Sequence, residues 1–350
     1  MDVVVGGAGI IGCAVAYELS RRGFRVQVFD PRPAGGGATH ATAGVLAPFI
    51  EAPSTGPLQD LTLESFRLYD DFVSSVQGDS GIAVEYRRCG TFEVASSGND
   101  EERLSRVAGM ARAAGVAAQW QESAPDDAGW VFGGRGLLIP SQGYVRVEQL
   151  IAALRQGAER RGARFYEGEA ILRVDPSENR IVVQTAGRRV SCDVLVVAAG
   201  SWSDSVGGEI VGVRPVRGQL LRLRWGGRPL PHVLWSHDCY LVPWTDGTLL
   251  VGATVEDVGF DERVTAGGVR TLLDAVCRLL PATADATFLD ARAGLRPASA
   301  DGLPVIRPSA RWRRVIYATG HYRNGILLAP VTARRVAEMV TLTDSSKSTT

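Results

Sequence analysis

Asp2-Val3-Val4-Val5-Gly6-Gly7-Ala8-Gly9-Ile10-Ile11-Gly12 opens the chain, and its reading decides the fold. Three successive valines predict a buried strand, and the glycines that follow predict a tight turn into a helix. That helix runs to Arg22, with Gly23 as its stop signal. A second strand, Arg25–Phe29, ends at Asp30, 18 positions after Gly12. In this βαβ setting Gly7 allows the turn, Gly9 lets the backbone approach a pyrophosphate, and Gly12 permits close helix–strand packing. Asp30 is placed to bond a ribose hydroxyl. The plain alternative is a glycine-rich turn without a ligand. The motif alone does not separate NAD from FAD, which share it.

Composition narrows the function. The chain has 350 residues, 38 Lys+Arg against 38 Asp+Glu, and 4 His. It is long enough for two domains. Its balanced charge provides no electrostatic footing for nucleic acid or an anionic membrane. No apolar run approaches the ~20 residues of a membrane span, and no basic region precedes the first strand, so no signal peptide is expected. Five scattered cysteines without a C-x-x-C fit a reducing cytosol. No histidine or cysteine spacing fits a metal site.

Further along, Gly35-Gly36-Gly37 makes a flexible crossing into Ala38–Leu46. Apolar residues at helical spacing predict helices over Asp60–Val76 and from Val147 to Ala158. Short strands are expected near Ala170–Val174 and Arg180–Gln184, and Asp193–Ala199, ending at Gly200, reads as a doubly buried parallel strand. Alternation in Gln219–Arg224, Cys239–Val242 and Leu249–Ala253 predicts antiparallel sheet. Thr265 is a candidate cap for a helix stopped by Pro281. The expected fold is α/β and α+β. A Rossmann-like cofactor domain (1–76, 141–211 and 291–340) is interleaved with a substrate domain of mixed, largely antiparallel sheet (77–140 and 212–290). A disordered tail is expected at 341–350.

Near the C-terminus, Val315–Ala318, Gly320, a polar loop containing Arg323, and then Gly325 read as strand, loop and helix start, with Pro330 in the first turn. Such a start gathers free N–H groups able to face an anion, or it is an ordinary surface turn. Reduced flavin is anionic along its pyrimidine edge, and a helix start this late in the chain favours FAD over a nicotinamide. Arg296, in Gly294-Leu295-Arg296-Pro297, is expected on a stiff segment with a turn behind it. It is a candidate bidentate carboxylate anchor, or else half of a structural ion pair. Tyr240 points away from Leu241, into either the core or a cleft.

Together with Gly7–Gly12, Asp30 and Ala38–Pro48, the segments Pro215–Gln219, Cys239–Pro243, Gly252–Thr254, Gly294–Pro297 and Thr319–Pro330 resemble the glycine oxidases. These are thiamine-biosynthesis flavoenzymes of the D-amino-acid oxidase and sarcosine oxidase superfamily. The resemblance implies an FAD-dependent enzyme, a homotetramer and a cytoplasmic location. It places the carboxylate-binding arginine on Arg296, the active-site tyrosine on Tyr240 and a second pocket arginine on Arg323. It places FAD contacts on Ile10, Ile11, Asp30, Pro31, Ala38, Thr39, Ala43, Gly44, Val45, Ala170, and on His321, Tyr322, Arg323, Asn324, Gly325, Ile326 and Leu327. Gly7, Gly9, Gly12 and Gly200 join them from the turn reading.

The implied reaction is oxidative deamination of glycine by hydride transfer to flavin N5. It yields an imine and then glyoxylate, ammonia and hydrogen peroxide, for the thiazole branch of thiamine synthesis. Sarcosine and small D-amino acids are alternative substrates, because Val45 and Val255 replace methionines at the flavin and in the substrate cavity. A dehydrogenase passing electrons elsewhere than to O₂, or a tRNA-modifying flavin domain, are rival readings. No cysteine follows Cys277, and Ala41 stands where some relatives carry a flavin-linked histidine, with His40 one place before. Non-covalent FAD is therefore expected.

Overall fold

The structure, a computed structural model, describes residues 1–121, 135–177 and 179–345. Strand Asp2–Gly6 forms the centre of a six-stranded sheet. It pairs in parallel with Arg25–Asp30 on one side and Val194–Val197 on the other. Arg164–Glu167 and Val315–Thr319 extend the sheet in parallel, and only Val305–Pro308 runs antiparallel, at one edge. Val3 and Val5 face one core and Val4 the other, as a doubly covered strand requires. Helices Ile10–Arg21, Pro57–Ser80, Val147–Glu159 and Gly325–Ser345 contribute to the larger core on one side. A three-stranded sheet spanning 173–192 covers the other.

Eight strands form a second sheet, antiparallel except where Val233–Trp235 lies parallel to Thr91–Val94. Its backbone is the long pair Arg214–Arg224 and Thr287–Ala298. Helix Ala266–Leu279 packs on its outer face, capped by the Thr265 hydroxyl, which accepts from the Gly268 N–H. Strands from 91–94 and 136–139 belong to this sheet. Residues 122–134 of the stretch 77–140 lie outside the described residues.

Three expectations change. Residues 291–298 lie within the antiparallel sheet, so a boundary at 290/291 cuts a single strand, Thr287–Ala298, that pairs along its length with Arg214–Arg224. The terminal helix runs to Ser345, five residues into the expected tail, because Val336, Ala337 and Val340 keep its buried face in register with the core; 346–350 lie outside the described residues. Pro330 stands in the second helical turn, as the sixth helical residue. A proline there leaves the Ile326 carbonyl without its i+4 donor. The Tyr69 hydroxyl donates to that carbonyl at 2.8 Å. The Ser65 hydroxyl donates to Leu327 O at 2.6 Å and accepts from the Val331 N–H at 3.3 Å. Tyr69→Phe strands one buried carbonyl and should lower unfolding stability by ~1–3 kcal/mol. Denaturant melts of the two proteins check it, and coincident curves would count against this role.

Candidate active site

All four central parallel strands end at one cleft, as open α/β sheets arrange their ligand sites. Gly7 and Gly9 follow the first strand, Asp30 and Pro31 the second, Gly200 the third, and His321–Arg323 the fourth; all line the cleft. Gly7 has a φ of 113°, which a side chain would strain. Gly9, the N-cap of helix Ile10–Arg21, has no side chain to cap it. Thr39, 29 positions away, accepts from the Ile10 N–H at 3.1 Å instead. Among the described residues no partner meets the Ile11 and Gly12 N–H groups, which can face an anion. Both Asp30 oxygens are oriented by main-chain donors, Ala8 N–H and Arg32 N–H, each at 2.7 Å. Burial raises the Asp30 carboxyl and these two donors oppose the rise.

Ile10, Ile11, Ala38, Ala43, Val45, Ala170, Tyr322, Gly325 and Ile326 line the same cleft. Gly12, Gly44, Asn324 and Leu327 do not. A Cβ on Gly12 would overlap the Gly7 carbonyl oxygen, and one on Gly44 would overlap that of Val145. Both glycines therefore serve backbone packing. Leu327 lies in the main core and Asn324 is buried beside the helix start. Val255, expected in the substrate cavity, is exposed and off the cleft wall. The paired contacts of Thr254 and Glu256 with Gln219 and Arg217 turn the intervening side chain outward.

The other wall comes from one face of the eight-stranded sheet, where Tyr240 and Arg296 line the cleft. Across neighbouring strands Leu220 pairs with Gly252, Gly252 with Tyr240, Tyr240 with Trp235, and Trp235 with Glu93. Leu241 is fully buried on the opposite face, which resolves the direction of Tyr240 in favour of the cleft. Its ring stacks on Trp235 at 4.7 Å. Arg296 extends from strand Thr287–Ala298, the stiff segment expected for it. Its Nη1 donates to the carbonyls of Thr254 at 3.0 Å and Arg217 at 3.4 Å. Among the described residues no carboxylate pairs with it. A Cβ on Gly218 would overlap the guanidinium, and one on Gly252 would overlap the Tyr240 hydroxyl. These two glycines let both side chains lie flat on the sheet.

Burial lowers the Arg296 guanidinium and raises the Tyr240 hydroxyl. The tyrosine thus stays a protonated donor beside a buried cation whose own bonds go only to main chain. That is a receptor for a carboxylate. Burial also lowers the His321 imidazole to about 3; its Nε2 lies 3.0 Å from the Thr332 hydroxyl. It is neutral in the fold, while the unfolded chain takes a proton below about 6.5. Its stabilising contribution is complete above that value and lost as pH falls toward about 3, by up to ~1.4 kcal/mol per pH unit. Between pH 4 and 6.5, His321→Gln should show a shallower loss of stability than the parent. Parallel pH profiles would refute this.

Residues missed in sequence complete the cleft. Glu51 ends the short helix Pro48–Glu51 and pairs with Arg323. Trp202 follows Gly200, and Arg32 lies 4.6 Å over its ring while forming a two-point pair with Glu262. Arg32 directly follows the Asp30-Pro31 already singled out, the one local signal available. Glu51 had none.

FAD fits what these residues provide. The cradle has no room for a Cβ at Gly7, it faces the start of helix Ile10–Arg21, and it holds an oriented carboxylate for a ribose. Residues 2–339 match the sequence pattern of the FAD dependent oxidoreductase (DAO) family. The chain belongs to that family. It is similar to a glycine oxidase of Geobacillus kaustophilus, 33% identical over 97% of this chain and 92% of the relative. The bifunctional protein ThiO/ThiG of a Nostoc species is also 33% identical over 97% of this chain, which spans 52% of that longer relative. The crystal structure of glycine oxidase from G. kaustophilus superposes with a TM-score of 0.93 at 32% identity, covering 97% of this chain and 94% of that one. The protein is an FAD-dependent oxidoreductase, similar along nearly its whole length to amino-acid oxidases. No described helix is long and apolar enough to cross a membrane.

Proposed function

We propose that the protein oxidises glycine, and to some extent sarcosine and small D-amino acids, to the imine, which water converts to glyoxylate and ammonia when glycine is the substrate. O₂ is the final acceptor and leaves as hydrogen peroxide. The observation that carries this reading is the buried, carboxylate-free Arg296 beside the Tyr240 hydroxyl, on the sheet face opposite the dinucleotide cradle. Arg296 holds the substrate carboxylate, with Tyr240 donating a second bond. Bound FAD supplies the acceptor for a hydride from the carbon next to nitrogen. The sheet face contributes orientation and exclusion of water, worth several kcal/mol in positioning alone. Loss of the ammonium proton frees the nitrogen lone pair, so no side-chain base at Cα is required.

Gly325 and Ile326 hold the cofactor with helix N–H groups, and Gly7, Gly9, Ile10, Ile11 and Asp30 hold its dinucleotide part. FAD is bound non-covalently in this reading. The described cleft-lining residues include no cysteine, Ala41 rather than His40 lies on the wall, and His40 is exposed with Nδ1 2.6 Å from Gly37 O. Acid precipitation should leave all flavin in the supernatant, and flavin in the pellet would contradict it. The glycine oxidase and ThiO/ThiG relatives support a place in the thiazole branch of thiamine synthesis; a cytoplasmic homotetramer is part of the same proposal. The test of activity is anaerobic mixing with glycine, sarcosine or D-alanine, followed by air. Bleaching of the flavin and recovery with peroxide is expected. Bleaching without recovery identifies a dehydrogenase, and no bleaching by any of the three overturns the reading.

A further inference from the structure

Two arginines line the substrate end of the cleft, and they differ in what neutralises them. Among the described residues Arg296 reaches only main-chain carbonyls. Arg323 is held at two points by Glu51, Nε to Oε2 at 2.9 Å and Nη2 to Oε1 at 3.3 Å. The Glu51 side chain is only 11% exposed. Its charge is the main influence raising the Arg323 guanidinium. Trp235 backs the pair, its ring centre 5.9 Å from the guanidinium carbon. Glu93, the other carboxylate in this corner, is committed to Arg103 at 2.6 Å. It therefore leaves Arg323 to Glu51.

Among the described residues, the pocket thus presents one uncompensated positive charge, Arg296, and one charge-neutral ion pair. A planar guanidinium already engaged by a carboxylate has little left to offer a second anion, and the carboxylate that engages it repels one. We infer that Glu51 is a specificity-determining residue: by occupying Arg323 it confines the pocket to amines with a single carboxylate, and without it Arg323 becomes a second anion site. Discrimination of this kind comes from a repulsive element as much as from an attractive one. The inference rests on the amine-oxidase reading above.

Sarcosine and iminodiacetate make the test, because they differ only by a carboxylate on the N-methyl carbon. The wild-type holoenzyme should favour sarcosine in kcat/KM. Glu51→Gln should raise the iminodiacetate-to-sarcosine ratio by at least tenfold, mainly through KM for iminodiacetate. Glu51→Asp should keep the ratio nearer the parent's. Adding Arg323→Gln to Glu51→Gln should abolish the gain, an outcome that a merely structural role for Glu51 does not produce. An unchanged ratio in flavin-loaded Glu51→Gln overturns the inference.

Should that variant not retain FAD, the wild type decides by flavin spectral titration. Acetate should bind at least tenfold more tightly than malonate, and equal or tighter malonate binding overturns the inference. The titration does not depend on turnover. A wild type that binds acetate selectively yet is bleached by no amine thus sinks the proposed function and not the role of Glu51.

Discussion

Arg296→Ala will raise KM for glycine by two orders of magnitude or more, with a smaller effect on kcat at saturation. The wild-type guanidinium is buried, has no carboxylate partner among the described residues, and gives its protein-side bonds to Thr254 O and Arg217 O. A substrate carboxylate arriving there makes a charge-assisted, desolvated pair with it. Removing one partner of such a pair costs ~3 kcal/mol or more, or roughly a hundredfold in affinity. Most of the cost belongs to the carboxylate left without its cation, and a lesser part to the two carbonyls. Arg296→Lys should recover part of it, since an ammonium supplies the charge but not the fork. The measurement is the substrate dependence of anaerobic flavin reduction, which separates binding from chemistry. The flavin spectrum of the substrate-free variant serves as the check on folding. An Arg296→Ala enzyme with parental KM would remove this residue from the site.

Gly12→Ala, a change of one methyl group, should yield largely flavin-free protein. The added Cβ overlaps a main-chain oxygen, that of Gly7, and neither partner is a flexible side-chain end. Helix Ile10–Arg21 must then move off the strand it follows. That helix is buried along most of its length in the largest core, against the terminal helix and Val147–Glu159. Overpacking of this kind costs ~1–3 kcal/mol or more in stability. The displacement also shifts the N–H groups at the helix start, so FAD affinity should fall at least a hundredfold. Gly109→Ala is the contrast: it lies in helix Gly98–Ala113 with nothing within 4 Å of its added Cβ. It should be neutral or slightly stabilising, since alanine is the better helix former by ~1 kcal/mol. Flavin-to-protein absorbance ratios and thermal midpoints report both effects. Gly12→Ala purified with a full complement of FAD would contradict the packing argument.

The first thirty residues were readable because each of their signals is local. Valines make the strand, glycines make the turn, and a small-residue face lets the helix approach; all of it is complete within one βαβ unit. The alternating strands between Gly212 and Asp257 were readable for the same reason. Pro330 was not, because a helix accepts an interior proline only if something distant takes the freed carbonyl. Tyr69, 257 positions earlier, does so, and Ser65 bridges the next pair, Leu327 O and Val331 N–H. Val255 misled because a resemblance transfers a position and not the direction of a side chain.

Local chain order was thus enough for the cofactor cradle, the pairing of a parallel with an antiparallel sheet region, and the residue types that could anchor a carboxylate. Whether Arg296 was an anchor or half of an ion pair depended on which carboxylates stood nearby, and that is a property of strands brought side by side. The same holds for Glu51. No periodicity or motif marks it, and its importance arises only because chain closure sets it against Arg323, 272 positions later. Charges act through space over a few ångströms. The identity of the free cation in this pocket was therefore decided by which partners folding put within reach.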